Sequence, residues 1–266
     1  MHPRLSVSAV SSWRWTLDED LAFWAGAGID HVGLSYRKLE EHGIESSVAR
    51  VRDAGLRVSN VVELGWWDLA EPVTWAPQQE RLGRAVEVAA AVGGCLVLTT
   101  GPALGLDWDV ATARLRDALA PVRAAADGAH VPITIEHTGP LRLDLSFCTT
   151  FADGADLART CEVGLCMEVS SCFAERDLAT RIADASDVLA HVQLSDFVVG
   201  SLCTPDRAVP GDGDIPLARI VGAVLAAGYD GPFELELVGP RIEDEGYPAA
   251  ITRSVRCLDE LLAQVA

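Results

Sequence analysis

The sequence predicts an α/β fold, a single-domain (β/α)8 barrel, on three observations. Short apolar runs rich in Val, Ile and Leu recur along the chain, amphipathic or Ala-rich stretches separate them, and the alternation repeats eight times within 266 residues. That length, with 49% hydrophobic residues, can bury one large core. One domain over residues 1–266 is preferred to two small ones, since no low-complexity segment or linker divides the chain. An open doubly wound sheet gives a similar local pattern and stands as the alternative.

The eight candidate strands are Leu5–Val10, His31–Ser35, Arg57–Leu64, Cys95–Thr99, Ile133–His137, Gly164–Val169, Leu189–Leu194 and Pro232–Leu237. The helices predicted after them are Leu17–Ala27, Ser46–Ala54, Pro77–Val92, Val110–Ala126, Phe147–Thr160, Leu178–Ala185, Leu217–Ala227 and Ala249–Ala263. The first opens with Thr16-Leu17-Asp18-Glu19, a capping box in which hydroxyl and carboxylate satisfy free backbone N–H groups. Gly28, Gly55, Gly93 and Gly228 mark helix ends, where a left-handed residue turns the chain toward the next strand.

Composition excludes several classes of function. With 21 Lys+Arg against 39 Asp+Glu, the net charge is −18, and such a surface repels phosphate backbones and anionic lipid headgroups. Neither nucleic acid nor a membrane is an expected partner. Seven cysteines, an odd number with no C-x-x-C pair, read as reduced thiols of a cytoplasmic protein rather than a disulfide framework or structural zinc site. Met1-His2-Pro3-Arg4-Leu5 begins no signal peptide, and no run of about 18 uncharged apolar residues occurs. The expected partner is a small-molecule substrate, with homo-oligomerisation left open.

In a barrel, reactive groups project from the C-terminal ends of the strands, so polar residues that end apolar runs are the ones to weigh. Four qualify: Glu136, Glu168, Gln193 and Glu236, on the last four strands. Either they are isolated polar residues beginning loops, or they converge on one side of the barrel mouth. Three converging carboxylates repel one another, and a divalent cation relieves the repulsion. An all-oxygen set of this kind suits Mg²⁺ or Mn²⁺ better than zinc.

From Val163-Gly164-Leu165 onward, and in general plan over nearly the whole chain, the sequence resembles the xylose isomerase-like superfamily. That group includes ketose 3-epimerases, inosose and dehydroshikimate dehydratases, and endonuclease IV. Gly228-Tyr229-Asp230-Gly231 resembles the approach to its final strand, and Arg207 to Asp214 resembles an R-x-x-P-G-x-G-x loop that meets substrate. The resemblance implies a Glu after strand five, an Asp in D-x-x-H after strand six, a His in H-x-H after strand seven and a Glu ending strand eight. Glu136 and Glu236 match the first and last, whereas Glu168 replaces the Asp and Gln193 the His. The His of D-x-x-H falls on Ser171, which removes a substrate contact of many epimerases.

The resemblance further implies that Glu136 and Glu236 are the catalytic acid and base, facing each other across Mn²⁺ or Mg²⁺, with Co²⁺ or Zn²⁺ as other fillings. Arg207 binds a substrate anion or oxygen. The expected chemistry is enolisation next to a carbonyl of a small sugar or cyclic polyol, followed by isomerisation or epimerisation. Loss of a β-hydroxyl in a dehydratase shares the early steps, and a metal-free ligand-binding barrel is the non-enzymatic reading. The endonuclease branch needs a His-rich multi-zinc site and a DNA-binding surface. Six histidines and a net charge of −18 oppose it.

Trp13, Trp66 and Trp108 follow strands one, three and four, and are expected either to wall the pocket against a ring or to pack loops or a subunit interface. His137, next to Glu136, joins the substrate-binding candidates. Strand alternation adds one geometric expectation. If Gln193 and Glu236 point inward, so do His191 and Glu234 one layer lower, and a buried Glu needs a partner, so the two should form a hydrogen bond or ion pair. The alternative puts Glu234 off the barrel axis at a twisted edge.

Overall fold

A computed structural model describes residues 1–265 as a closed barrel in which eight parallel strands pair in sequence order and the last returns to the first. They are β1 (Leu5–Ser8), β2 (His31–Ser35), β3 (Arg57–Glu63), β4 (Cys95–Thr99), β5 (Ile133–Glu136), β6 (Gly164–Glu168), β7 (Leu189–Leu194) and β8 (Phe233–Leu235). Closure runs through the register Leu5 to Phe233 and Val7 to Leu235. The open-sheet alternative is thereby removed.

The principal helices, Leu17–Ala27, Ile44–Asp53, Trp75–Val92, Trp108–Ala129, Phe151–Cys161, Leu178–Asp184, Leu217–Ala226 and Tyr247–Val265, each follow one strand. Leu5, Val7, Val32, Leu34, Val61, Leu96 and Leu98 are among the fully buried strand residues of the core, and Trp24 on the first helix is buried with them. The Thr16–Glu19 capping box forms, with Glu19 Oε2 accepting from Thr16 N at 2.8 Å.

Boundaries differ where local hydrogen bonds compete with the strand or helix. β1 stops at Ser8 because its hydroxyl accepts from Val10 N at 3.2 Å and starts a 3-10 turn over Ala9–Ser12. The fifth principal helix begins at Phe151 rather than Phe147, since Thr150 caps it by accepting from Asp153 N at 3.1 Å. Short helices at Tyr36–Glu41, Val169–Cys172 and Pro240–Glu245, unforeseen in the sequence, turn the chain directly after β2, β6 and β8.

Lys38, on the short helix after β2, is buried, and its ammonium lies 2.6 Å from Asp20 Oδ2 and 2.9 Å from the Ser12 carbonyl. Burial draws the Lys38 pKa down and the Asp20 pKa up, so each ion depends on its partner. Lys38→Met should therefore destabilise the fold by about 3–5 kcal/mol in urea unfolding, because it leaves a buried carboxylate unpaired. A Lys38→Met/Asp20→Leu double variant should recover most of the loss.

A candidate metal centre at the barrel mouth

The parallel register brings the polar strand ends to one side of the mouth. Glu136 closes β5, Glu168 closes β6, Gln193 lies one residue before the end of β7, and Glu236 directly follows β8. Glu168 pairs in register with Gln193, and Gln193 with Glu234. One oxygen from each of Glu136, Glu168 and Glu236 lies within 4.8 Å of the other two, and all three residues are buried.

Glu168 Oε1 accepts from Ser170 N at 2.9 Å and meets the Arg207 guanidinium at 2.6 Å. Arg207 also donates to Ser195 Oγ at 3.0 Å and lies 4.0 Å from Glu236 Oε1. Gln193 Nε2 donates to Glu236 Oε2 at 2.8 Å and to Glu234 Oε2 at 3.3 Å.

This geometry makes protons hard to remove. Burial first, then the charge of Glu168, lifts the Glu136 pKa to about 8, with Arg207 opposing. Burial and Glu136 likewise hold Glu236 well above the usual carboxylate range. Beneath them His191 Nε2 lies 3.0 Å from Glu234 Oε2, both fully buried, which is the expected pair one layer below the cluster. Burial alone would lower the His191 pKa, but the Cys95 and Glu234 side chains raise it to about 10.

The donor set fits a hard divalent cation. Glu168 Oε2 and Gln193 Oε1 are buried acceptors without a hydrogen-bond partner among the described residues, on neighbouring strands and next to two further carboxylates. Glu136, Glu168, Gln193 and Glu236 would hold the ion through oxygen alone, the preference of Mg²⁺ and Mn²⁺.

The remaining candidates fall into two groups. Trp13, Trp66 and Trp108 are 41%, 53% and 40% exposed on the rim of the same face, after β1, β3 and at the first turn after the β4 loop. Trp13 lies under the Arg37 guanidinium at 4.6 Å, and Trp108 packs edge-on against Phe147 at 5.2 Å. His137 departs from expectation. Alternation from the inward Glu136 turns it away from the barrel axis, and its buried ring packs at 5.9 Å against Phe151 on the outer helix. Burial lowers its pKa to about 4, so it is neutral there and is corrected from substrate contact to packing.

Sequence reasoning missed Asn60, which donates to Glu234 Oε1 at 2.6 Å, and Asp196. The Asp196 carboxylate accepts from the backbone N–H groups of Phe197, Gly211, Gly213 and Ile215 at 2.9 to 3.1 Å. It thereby ties down the loop that delivers Arg207. A Cβ on Gly213 would overlap that carboxylate, which is why the loop needs glycine there. The signal was available in Leu194-Ser195-Asp196, an acid just past a strand end, facing a loop with closely spaced glycines.

A closed parallel barrel with three carboxylates and a carboxamide clustered at the C-terminal ends of its last four strands has the architecture of a (β/α)8 barrel with its polar site on the usual face. Within that class the chain belongs to the xylose isomerase-like TIM barrel family, whose model matches residues 21–261. No curated protein sequence matches it. Among solved structures it is similar to protein SMc04130 from Sinorhizobium meliloti 1021, at 24% identity and TM-score 0.81, covering 99% of this chain and 96% of that one. It is also similar to the IolI protein solved with a bound zinc atom, at 16% identity and TM-score 0.84, covering 99% of each chain. An L-ribulose 3-epimerase superposes with TM-score 0.77 at 18% identity, over 98% of this chain and 95% of that one. At these identities the likeness establishes the fold.

Because the Glu136 pKa is raised in the folded state, the native protein holds that proton more tightly than the unfolded chain does. The resulting stabilisation is full at acid pH and is lost as pH rises through about 8. The raised His191 pKa acts in the same direction, its stabilisation fading as pH rises toward about 10. Thermal unfolding of metal-stripped protein should therefore show the Tm falling from pH 5 to pH 9. Glu136→Gln should flatten the lower part of that slope.

Proposed function

We propose that the chain is a divalent-metal-dependent isomerase or epimerase that acts on a small polyhydroxy carbonyl compound, a sugar or cyclic polyol, by enolisation. The observation that carries this reading is the convergence of Glu136, Glu168 and Glu236 within 4.8 Å, with Gln193 beside them and unpartnered acceptor oxygens left over. A bound Mn²⁺ or Mg²⁺, or Co²⁺ or Zn²⁺ in their place, supplies positive charge that favours loss of a proton next to a carbonyl.

The chain's own groups supply the rest. Glu136 and Glu236 flank the site from β5 and from the end of β8, so one takes the α-proton as carboxylate while the other returns a proton as acid. Arg207 is held by Ser195 and Glu168 on a loop fastened by Asp196, which supports a role in meeting an oxygen or anion of the substrate. The rim tryptophans offer faces on which a ring can stack. Support from the relatives lies in what they are: an L-ribulose 3-epimerase and a 3-keto-D-glucoside 4-epimerase share the fold, and IolI binds a zinc atom.

A specific feature favours dehydration as a second reading. Gln193 and Ser171 stand where the resemblance places histidines of the ketose epimerases, which removes contacts that epimerisation uses there.

The test is solvent-deuterium incorporation, followed by NMR, into a panel of keto-sugars, inososes and dehydroshikimate-like acids with metal-reconstituted protein. Exchange at the α-carbon is expected, with Glu136→Gln and Glu236→Gln each lowering kcat/KM by about 10²–10⁴-fold. A product one water lighter selects dehydration. No exchange with any ion would leave the ligand-binding barrel.

A further inference from the structure

The buried carboxylate of Glu234 has no place in the acid–base pair just described, yet three side chains of the barrel interior meet it. Three other strands converge on it. Asn60 on β3 donates to its Oε1 at 2.6 Å, and His191 on β7 meets its Oε2 at 3.0 Å. Gln193, also on β7, reaches that oxygen at 3.3 Å. On β2, Gly33 provides the room, since a Cβ there would overlap both the Glu234 carboxylate and the Asn60 amide. Asn60, His191, Gln193 and Glu234 are all fully buried.

A carboxamide has two unlike ends, and only its oxygen can serve as a metal ligand. Gln193 sits in register between Glu168 on β6 and Glu234 on β8. Its Nε2 is drawn to the β8 side by two acceptors, Glu234 Oε2 and Glu236 Oε2. That leaves Oε1 on the side of Glu168, whose own Oε2 is likewise unpartnered among the described residues. Were an ion to draw Glu236 Oε2 away, Glu234 would still hold the amide.

Resting on the metal-dependent reading, we infer that Glu234 is the positioning residue that makes glutamine a workable ligand at Gln193, by fixing its carboxamide with the oxygen toward the carboxylate cluster. The ring of His191 and the amide of Asn60 hold Glu234 in turn, so orientation passes from the lower layer of the barrel to the metal layer. Partners of this kind beyond the ligands commonly set metal affinity by 10–100-fold.

The test is Mn²⁺ affinity by isothermal titration of metal-stripped, full-length protein, with folding checked by circular dichroism. Glu234→Gln should weaken Mn²⁺ binding by about 10–100-fold. Glu234→Asp, which keeps the charge but withdraws it from Gln193, should weaken it in the same direction and provides the measurement if the first variant does not fold. The decisive readout is a double-mutant cycle. In a Gln193→Ala background the Glu234 substitution should cost little further affinity, because its effect runs through Gln193. An unchanged Mn²⁺ Kd in both variants, or an equal loss with and without Gln193, overturns the inference while leaving the metal site standing. A wild-type protein that binds none of Mn²⁺, Mg²⁺, Co²⁺ or Zn²⁺ overturns the metal reading and the inference together.

Discussion

The structure turns on the burial of four glutamates, Glu136, Glu168, Glu234 and Glu236, inside one parallel barrel. An isolated carboxylate in such surroundings is costly, and several together repel one another as well. Each is answered differently. Glu234 is ion-paired to His191, Glu168 to Arg207, and Glu136 and Glu236 are driven to hold protons. The interior of this barrel is therefore a charge-compensated core, arranged in two levels, in which each acid is answered by a cationic partner or by its own proton.

The two levels differ in how they could change. The lower is closed: His191, Asn60 and Gln193, all fully buried, point their donors at one carboxylate. The upper is compensated by a loop residue and by protons, both of which can leave. Asp196 reconciles a movable compensator with a defined position, since it fixes the backbone on either side of the Gly211–Gly213 turn while the Arg207 side chain stays 13% exposed. A divalent ion would thus enter a site whose scaffold is already rigid and whose counter-charges are replaceable.

Much of this was legible in the sequence because strands and parallel register are simple rules. All eight strands were found to within a few residues, and alternation placed His191 beside Glu234 without knowledge of the fold's relatives. Strand ends are also where the four site positions were read, and the structure brings Glu136, Glu168 and Glu236 together. What was not legible depends on approach between distant segments. Nothing local marks Asn60 as a partner of Glu234, because that contact spans the barrel interior. His137 was misplaced for a related reason: proximity in sequence to Glu136 is, in a strand, a guarantee of facing the other way. The short helices after β2, β6 and β8 were hidden because four to six residues give too little periodicity to read.

The vacancy at Gly33 has a consequence for the history of such a chain. Glu234 occupies space that any other L-residue on β2 would fill, and without Glu234 that space would be a polar-lined void. Neither position can be exchanged first without loss, so the two are mutually entrenched. The interior pairing therefore stands as a ratchet that later substitutions must build around.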